Sequence, residues 1–529
     1  MTDELVYDYV IVGAGSAGCV LASRLSANAD ARVAILEAGD EDSRPEIHMP
    51  IAFPLLFKSG YDWDLLGEPE PGLGGRRLYL PRGRMLGGCS SINAMIYVRG
   101  NRADYDGWAA AGAEGWSYEE VLPYFKRSED NERGEDAYHG VGGPLKVSES
   151  RSMHPLVDSM LAAAQAAGHE LNPDFNGARQ EGVGRFQMTQ RHGLRESTAD
   201  AFLRPAAQRR NLDVVPRAMA QRIVFEGTRA VGVEIARDGQ LLHYRAEREV
   251  IVSAGAYHSP VLLMLSGIGP EDQLNPFAIE VREALPVGIG LQDHCMCNVN
   301  YLSNVPGLFS AFTAENFALL ESEGRGPLTS NVPEAAGFFR TRPGLEAPDV
   351  EFHFAPGLFF DEGLTPPPGD GYAFGPVVVA PTSRGRVMLR ASLADAKPRV
   401  LCNFLTTEED RDSMVAVLRM ALEIARQEPL KAVERAPFSV PASDSDADLW
   451  AFIERAAQSV YHPTSTCAIG TVVDPELRVY GVEGLRVVDA SVMPSVTRAN
   501  TNAPTIMIAE KAAELIAAGS GITAAAGAA

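Results

Sequence analysis

The sequence has neither an excess of basic residues nor a long apolar run. Its 529 residues carry a formal net charge of −22, whereas a protein that follows nucleic acid or an anionic membrane surface needs a basic face. No apolar run approaches the ~18–20 residues that cross a bilayer, and residues 1–4 lack the basic segment of a signal peptide. We therefore predict a cytoplasmic protein with no nucleic-acid partner and no transmembrane segment.

Cysteine is also scarce. The chain has 6 cysteines, too few for the dense disulfide framework of small secreted domains, so free thiols are predicted. Cys295 and Cys297 lie beside His294, but their spacing is not that of zinc ligands and no second ligand pair occurs elsewhere in the sequence. We predict no metal site.

What the chain does have is the composition of a globular protein, with 46% hydrophobic and 22% charged residues. Its 529 residues are too many for one ordinary core, because cores stop growing at roughly 250–300 residues. Two domains, or one domain with a large elaboration, are expected.

The N-terminal segment has the pattern of a dinucleotide-binding unit. The predicted elements are a strand at 7–12, a helix at 16–26 and a strand at 31–36. Between the first two stands a glycine-rich turn in which Gly13 permits the bend, Gly15 lets a pyrophosphate approach the backbone, and Gly18 allows the helix to pack on the strand. Glu37, at the end of the second strand, is placed to accept hydrogen bonds from both ribose hydroxyls of an adenosine. The pattern predicts a bound dinucleotide without separating NAD from FAD.

A second glycine-rich run, residues 83–93, contains Gly87, Gly88 and small hydroxyl residues that let the backbone pass close to a flat ligand. A single run of this kind is usually only a loop. Two in one chain favour a cofactor site. Residues 45–82, rich in proline, glycine and aromatic residues, are predicted to form a long surface loop that covers or lines a site.

Elsewhere, hydrophobic periodicity predicts short strands and several helices. The strands are 212–215, 222–226, 230–235 and 249–253, with the run at 229–235 predicted as part of a meander that returns to a parallel sheet. The helices are 104–127, 155–168, 413–427, 447–457 and 503–517. Residues 519–529 are small residues apart from Ile522 and Thr523 and are predicted to be a flexible tail.

Six segments together resemble the glucose–methanol–choline (GMC) oxidoreductases, which are FAD-dependent alcohol oxidases and dehydrogenases. The matching segments are VGAGSAG at 12–18, GRMLGGCSSIN at 83–93, SPVLLMLSGIGP at 259–270, VGIGLQDH at 287–294, HPTSTCAIG at 462–470 and VVDASVMPSVTRANTNAPTIMIAEK at 487–511. The resemblance extends from about Tyr7 to Ile516, and the order and spacing of the motifs are specific.

The resemblance implies a fold that is α/β plus α+β, with a Rossmann-like FAD-binding domain and a second, substrate domain built on an antiparallel sheet. We assign residues 1–155, 205–300 and 455–520 to the FAD-binding domain and residues 156–204 and 301–454 to the substrate domain. Together with the two glycine-rich runs, it gives as candidate cofactor-binding residues Gly13, Gly15, Ser16, Ala17, Gly18, Glu37, Ala38, Arg84, Gly87, Gly88, Asn93, Ala94, Ala220, Asp489, Ala490 and Asn502. For Asp489, a purely structural turn carboxylate is the alternative.

The family's catalytic base corresponds to His462, and its His or Asn partner about 40 residues on is predicted to be Asn502. An imidazole with an ordinary pKa near ~6.5 is suited to accept a hydroxyl proton near neutral pH, and an amide can hold the substrate oxygen. The predicted reaction is oxidation of a small-molecule alcohol to an aldehyde or ketone, with the proton passing to His462 and the hydride to flavin N5. Oxygen or another acceptor then reoxidises the flavin. The alternatives are a flavin-dependent lyase or decarboxylase on the same fold and a flavin-binding module without turnover.

Three positions depart from the family pattern. Ile92 stands where some members carry the histidine that links FAD covalently, so non-covalent FAD is predicted. Ser465 replaces the usual glycine; its side chain either narrows the pocket or adds a hydrogen bond, or points into the loop without effect. Tyr461 replaces a frequent tryptophan and predicts a more polar substrate wall. His353, in an alternating strand, either faces the substrate or is a packed or surface histidine, and we favour the second reading.

Overall fold

The computed structural model of the protein describes residues 5–519. Its first sheet forms around the predicted dinucleotide-binding unit. The apolar strand Leu5–Val12 lies between Val33–Leu36 and Gln240–Val252 and pairs in parallel with both. Helix Ser16–Leu25 connects the first two strands, and seven of its residues are buried. The other strands of this sheet are Leu212–Val215, Met219–Glu226, Arg229–Arg237 and Leu485–Val487.

An antiparallel meander extends this sheet, as the sequence predicted. Met219–Glu226, Arg229–Arg237 and the first half of Gln240–Val252 pair antiparallel in chain order. The last of them continues into the parallel part of the sheet, where its C-terminal residues pair with both Leu5–Val12 and Leu485–Val487. The C-terminal part of the chain therefore returns to the sheet that the N-terminal part begins.

The second sheet has eight strands, and all of its pairings are antiparallel. Its strands are Gly182–Arg185, Cys295–Cys297, Val299–Ser303, Ala335–Phe339, Val350–Ala355, Gly371–Val378, Glu434–Ser439 and Ala457–Ser459. Helices Pro155–Ala166 and Glu408–Ala425 pack against it. Every residue of Val350–Ala355 and of Gly371–Val378 is buried. The predicted combination of a Rossmann-like sheet with a second, antiparallel sheet is confirmed.

The remaining elements are shorter or lie around the two sheets. The other α-helices are Pro45–His48, Arg102–Ala110, Tyr118–Ser128, Arg204–Ala206, Gly255–Leu265, Glu271–Leu274, Ala314–Glu323, Glu428–Lys431, Asp446–Ala456 and Asn502–Gly519. The other strands are Leu65–Leu66, Tyr79–Leu80, Glu129–Asn131, Leu145–Val147, Gln190–Arg191, Leu194–Arg195, Ile289–Leu291, Gly385–Met388 and Arg399–Leu401.

The prediction of a single helix at 104–127 is wrong. The structure has two helices, Arg102–Ala110 and Tyr118–Ser128, because the chain turns at Gly112, whose φ of +103° is incompatible with a right-handed helix. Ser117 then starts the second helix with a capping box.

Two strands of the second sheet lie inside stretches that the sequence assigned to the FAD-binding domain. Cys295–Cys297 and Ala457–Ser459 pair with each other antiparallel, and Cys295–Cys297 also pairs with Gly371–Val378. The division into residues 1–155, 205–300 and 455–520 on one side and 156–204 and 301–454 on the other remains a prediction. The tail predicted at 519–529 lies outside the described residues except for Gly519, where the last helix ends. Over residues 5–519, none of the helices has the length and apolar character of a membrane span.

Candidate active site

One cavity lies between the two sheets and extends from the turn at 13–17 to His462. The loop predicted to cover a site, residues 45–82, contributes Phe53, Phe57 and Trp63 to its wall. The predicted cofactor-binding residues that line it are Gly13, Gly15, Ser16, Ala17, Glu37, Ala38, Gly88, Asn93, Ala94, Ala220, Asp489, Ala490 and Asn502. Segments from both ends of the chain thus surround the same space.

The first glycine-rich turn leaves a helix start open to this cavity. Helix Ser16–Leu25 has no side-chain cap and no acidic residue in its first turn, so its free N–H groups and the positive end of its dipole are available to an anion. Gly13 has a φ of +101°, and a Cβ there would lie 2.5 Å from the Ser253 carbonyl oxygen. A Cβ on Gly88 would lie 2.7 Å from Gly15 Cα. The two glycine-rich runs are therefore in contact and together form a cradle of backbone.

Glu37 lies at the end of strand Val33–Leu36 and is 6% exposed. Its Oε2 accepts a hydrogen bond from Ala14 N at 2.9 Å, and its Oε1 accepts one from Gly39 N at 2.7 Å. Burial raises the pKa of Glu37, although these two N–H groups and the Arg84 charge oppose the rise. Each carboxylate oxygen keeps a lone pair for a further donor, which is what a ribose diol would supply.

Asp489 borders the cavity but is bonded to the protein through both oxygens. Oδ2 accepts from Gly255 N at 2.9 Å and from Ser259 Oγ at 2.5 Å, and Oδ1 accepts from Ser491 N at 2.8 Å. The carboxylate therefore joins the start of helix Gly255–Leu265 to the segment that carries Ala490. These contacts support the structural alternative for Asp489, and its contact with the cofactor stays a prediction.

Three residues predicted to bind the cofactor do not line the cavity: Gly18, Gly87 and Arg84. A Cβ on Gly18 would lie 1.9 Å from the Gly13 carbonyl oxygen, so this glycine allows the helix to pack on the turn. Gly87 N donates to the Ala14 carbonyl at 2.7 Å and joins the two glycine-rich runs. The Arg84 guanidinium lies 4.9 Å from the Trp63 ring centroid. All three residues are next to cavity-lining residues but do not line the cavity themselves.

Sequence reasoning missed Arg195, a buried arginine under the second glycine-rich run. Its guanidinium donates to the carbonyl oxygens of Ile47 at 2.7 Å and Ser90 at 3.1 Å and to Asn93 Oδ1 at 2.9 Å. Burial lowers the pKa of Arg195 to about 9. Arg195 thus holds Asn93, predicted to lie along the flavin, from the side away from the cavity. An arginine in a polar stretch gives no sequence signal for such a role.

His462 lies at the end of the cavity that the second sheet covers, and it is 9% exposed. Its Nε2 accepts a hydrogen bond from Asn500 Nδ2 at 3.2 Å, and both residues line the cavity. Burial lowers the pKa of His462 well below its usual value, and His294, His353 and Arg82 lower it further. The ring is therefore neutral at neutral pH, with an accepting nitrogen beside an amide donor.

The structure places Asn500, and not the predicted Asn502, within hydrogen-bonding distance of His462. Asn502, which we expected there, is the first residue of helix Asn502–Gly519, and its Oδ1 accepts from Ser16 Oγ at 2.7 Å. Asn500 precedes the helix and reaches His462 instead. Asn502 still lines the cavity, but beside the helix start that forms the cradle, which agrees with its place among the predicted cofactor-binding residues.

Asp293 and His294 lie behind His462. Asp293 Oδ1 accepts from the backbone N–H groups of His294 at 2.8 Å and His462 at 2.7 Å, and its Oδ2 accepts from Ser459 Oγ at 2.5 Å. Burial raises the pKa of Asp293 to about 6 and lowers that of His294 to about 3. Both residues belong to the VGIGLQDH motif, but no role was predicted for them from the sequence.

The chamber in front of His462 is mainly apolar. Its wall includes Phe53, Phe57, Met296, Val332, Phe359 and Val460. Among the described residues, the carboxylates that line the whole cavity are Glu37 and Asp489, and both lie at the cofactor end. His353 is buried in its strand and lines this chamber, which supports the reading that we did not favour, a histidine that faces the substrate; its Nε2 is 3.0 Å from Glu351 Oε1.

The three departures from the family pattern have different consequences. Ile92 lines the cavity with an alkyl side chain. Ser465 does not line it; its Oγ lies 3.0 Å from Thr464 Oγ1, so the side chain points into the loop. Tyr461 lines the cavity, and its buried hydroxyl has no hydrogen-bond partner among the described residues. The wall at Tyr461 therefore carries a polar group available to a ligand.

The fold and the site define a class of protein. A Rossmann-like sheet carries an open helix start for a pyrophosphate and an acid for a ribose, and the apolar side chains of Met219, Leu262 and Leu265 line the same cavity. These features fit FAD. The cavity ends at a neutral histidine paired with an amide. This is the arrangement of a flavin-dependent oxidoreductase.

Comparison with known proteins identifies the family. The N-terminal and C-terminal domain profiles described as GMC oxidoreductase match residues 7–296 and 381–509. Human mitochondrial choline dehydrogenase is 44% identical over 96% of this chain and 89% of its own length. An alcohol dehydrogenase [acceptor] from Pseudomonas putida is 42% identical over 97% of this chain and 96% of its own length. The crystal structure of pyridoxine 4-oxidase from Mesorbium loti has a TM-score of 0.89 at 30% identity and covers 96% of this chain and 98% of that one.

The chain belongs to the GMC oxidoreductase family, as its motifs indicated. It is an FAD-dependent oxidoreductase that acts on CH–OH donors, and the predictions of fold, enzyme class and cofactor are confirmed.

Proposed function

We propose that this protein oxidises an uncharged, apolar alcohol to the aldehyde or ketone, with His462 as the base. The observation that carries the proposal is the pairing of a neutral His462 with Asn500 at the end of an apolar chamber. No carboxylate lines that chamber among the described residues. A cationic alcohol such as choline would have no counter-charge there, whereas an alkyl or aryl group would pack against Phe53, Phe57 and Phe359.

The residues act on the hydroxyl group of the substrate. His462 accepts its proton at Nε2, and the ring is ready to do so because burial keeps it unprotonated at neutral pH. Asn500 Nδ2 lies next to Nε2 and donates to the substrate oxygen, which fixes the oxygen where charge develops. Bound FAD supplies the acceptor of the hydride. The apolar walls exclude water from the reacting atoms.

FAD is held without a covalent bond in this proposal. Three groups of residues support this: the start of helix Ser16–Leu25 for the pyrophosphate, Glu37 for the ribose and the run at 83–93 along the flavin. Ile92, at the position of the linking histidine of some members, has no atom that can form the bond. The cytoplasm is the proposed compartment, supported by 6 cysteines in the chain, all of them free thiols.

The comparisons give no support to a flavin-dependent lyase or decarboxylase. The partners in the proposal are therefore the alcohol and an electron acceptor, which is oxygen or another oxidant.

The test is anaerobic mixing of the holoenzyme with 1-hexanol, benzyl alcohol and choline, with flavin absorbance as the readout. We expect bleaching with the two apolar alcohols at a rate at least about tenfold above that with choline, since an unpaired charge is costly in an apolar chamber. His462→Ala should lower the rate of bleaching by about 10²–10⁴-fold, and His192→Ala, at an exposed histidine, should not. Full activity in His462→Ala, or a preference for choline, contradicts the proposal. Parallel measurement of oxygen consumption and of an artificial acceptor identifies the oxidant.

A further inference from the structure

Two buried histidines meet edge to edge behind the cavity. His294 Nδ1 lies 3.0 Å from His462 Nδ1, and the two rings are nearly perpendicular, at 88°. His294 is fully buried and does not line the cavity. A hydrogen bond between two neutral imidazoles needs one N–H and one lone pair. One of the two Nδ1 atoms therefore carries the proton and the other accepts it.

The group on the far side of His462 decides which ring is the donor. On His462, Nε2 receives the amide N–H of Asn500 at 3.2 Å, so Nε2 carries the lone pair and Nδ1 carries the hydrogen. Nε2 of His294 has no hydrogen-bond partner among the described residues, so no group on that side opposes this direction. The neutral His294 ring therefore accepts at Nδ1 and carries its own hydrogen at Nε2.

The contact is held in place by backbone. Strands Cys295–Cys297 and Ala457–Ser459 pair antiparallel, and Val460 N donates to the His294 carbonyl at 3.0 Å. Asp293 Oδ1 accepts from the backbone N–H groups of both histidines. The two rings are thus fixed relative to each other by a strand pair and by a carboxylate that bonds to their backbone. His294 can reach the chemistry only through His462.

We infer that His294 is a positioning residue, whose Nδ1 lone pair accepts the Nδ1–H of His462 and holds His462 in the tautomer that presents its Nε2 lone pair to the cavity. This inference rests on the proposed function for its consequence, since a base at Nε2 is useful only if His462 takes the substrate proton. The proton balance is simple. The hydroxyl proton goes to Nε2, the Nδ1 proton stays on His462, and its hydrogen bond to His294 becomes charge-assisted and stronger.

The test measures the tautomer directly in the holoenzyme with ¹⁵N-labelled histidine rings. Two-bond ¹H–¹⁵N correlation spectra distinguish the protonated from the unprotonated ring nitrogen, and the variants His462→Gln and His294→Asn assign two of the 10 histidines. We expect His462 to be protonated at Nδ1 and His294 at Nε2. The reverse pattern overturns the inference, whatever the activity of the enzyme.

Two substitutions at His294 separate positioning from folding. In His294→Asn the amide oxygen replaces the Nδ1 lone pair, and the tautomer of His462 and the flavin-reduction rate should be retained within about tenfold. His294→Leu removes the acceptor, and we expect mixed tautomers on His462 and a rate lower by about 10²–10⁴-fold with little change in KM. FAD content and Tm are the controls. Equal rates in the Leu and Asn variants contradict the inference, and if the Leu variant fails to fold, the wild-type spectrum decides.

The outcomes also separate this inference from the proposed function. If His462→Ala keeps full activity while the spectra show the expected tautomers, the proposed base is wrong and the contact between the rings stands. If His462→Ala is inactive while Nε2 of His462 is protonated, the base stands and the role of His294 is wrong.

Discussion

At the scale of single residues, two asparagines that are two positions apart have different tasks. Asn500 Nδ2 donates to His462 Nε2, whereas Asn502 Oδ1 accepts from Ser16 Oγ at the cradle. Asn500→Ala should lower the rate of flavin reduction by about 10–10³-fold, because the donor to the substrate oxygen is lost. Asn502→Ala should instead weaken FAD binding, with a smaller effect on the reduction rate of the FAD-saturated enzyme.

Stopped-flow reduction and FAD fluorescence titration measure the two effects separately. The two variants are matched controls for each other, since each removes one amide from the same segment. A loss of FAD affinity in Asn500→Ala together with unchanged affinity in Asn502→Ala would contradict the assignment.

The sequence pointed to Asn502 as the partner of His462, whereas the structure brings Asn500, from the same segment, to that ring. The motif TRANTNAPT offers two amides, and a count of about 40 residues from His462 fits both. What separates them is that Asn502 begins helix Asn502–Gly519 and its side chain meets Ser16, while Asn500 is still in the loop. A shift of two residues at a helix boundary is beyond the precision of sequence patterns.

Glu334 is a buried acid whose titration affects stability. Its oxygens accept from Ser330 Oγ at 2.6 Å and from His154 N at 2.8 Å, and burial raises its pKa to about 7. A raised folded-state pKa stabilises the fold below the unfolded value near ~4.3, and this contribution is lost as pH rises through 7. In Glu334→Gln the amide oxygen still accepts from His154 N, the amide nitrogen donates to the Ser330 hydroxyl, which donated in the wild type, and the side chain does not titrate.

We therefore expect the free energy of unfolding of Glu334→Gln, relative to wild type, to increase by roughly 2–3 kcal/mol between pH 5 and pH 8. Denaturant unfolding at the two pH values measures the difference. Glu315→Gln, at an exposed acid, is the control and should show no such trend. A difference that shrinks as pH rises would refute the raised pKa.

At the scale of elements, several segments around the cavity have left-handed backbone at residues other than glycine. Met95, Val332 and Tyr461 line the cavity with φ values of +57°, +74° and +69°, and Ser465 follows at +70°. Such conformations cost about 1 kcal/mol or more for residues with a Cβ. The sequence does not reveal them, because only a glycine or asparagine signals a left-handed turn in advance.

Ser465 is the position where this strain can be removed without touching the cavity. Its side chain contacts Thr464 and lies outside the lining, so Ser465→Gly should relieve the left-handed penalty at the loss of one hydroxyl contact. We expect a gain of about 0.5–1 kcal/mol in unfolding free energy with unchanged KM. A drop in unfolding free energy would mean that the serine hydroxyl contributes more to stability than the left-handed backbone costs. A changed KM would mean that Ser465 affects the cavity. Thermal unfolding of the holoenzyme and steady-state kinetics measure the two quantities.

The strand pairs show where sequence reasoning succeeds and where it stops. The first sheet was largely predictable, because Leu5–Val12, helix Ser16–Leu25 and Val33–Leu36 are local in sequence and each has its own periodicity. The pairing of Cys295–Cys297 with Ala457–Ser459 was not, since three-residue strands carry no period and their partners are far apart. That pairing brings His294 into contact with His462, and the contact could therefore not be predicted from the sequence.

At the scale of the whole molecule, the two ends of the chain are joined around the cofactor cavity. Helix Asn502–Gly519 packs on helix Ser16–Leu25, and Glu510, fully buried, bonds to Arg24 at 2.7 Å and to Arg127 at 3.0 Å. The predicted FAD-binding residues come from both ends of the chain, as the order of the family motifs indicated. Bound FAD would add contacts between these parts of the chain, and it should stabilise the entire fold.

Removal of FAD tests this coupling and the absence of a covalent bond in one experiment. Acid precipitation should release all flavin into the supernatant, because Ile92 cannot form the linkage. The apoenzyme should unfold at a Tm about 2–3 °C below that of enzyme with FAD at roughly 100 times Kd, and added FAD should restore the Tm with a logarithmic dependence on its concentration. Flavin retained in the precipitate would contradict the proposal, and Cys89→Ala would then show whether the thiol at Cys89, which also lines the cavity, holds it.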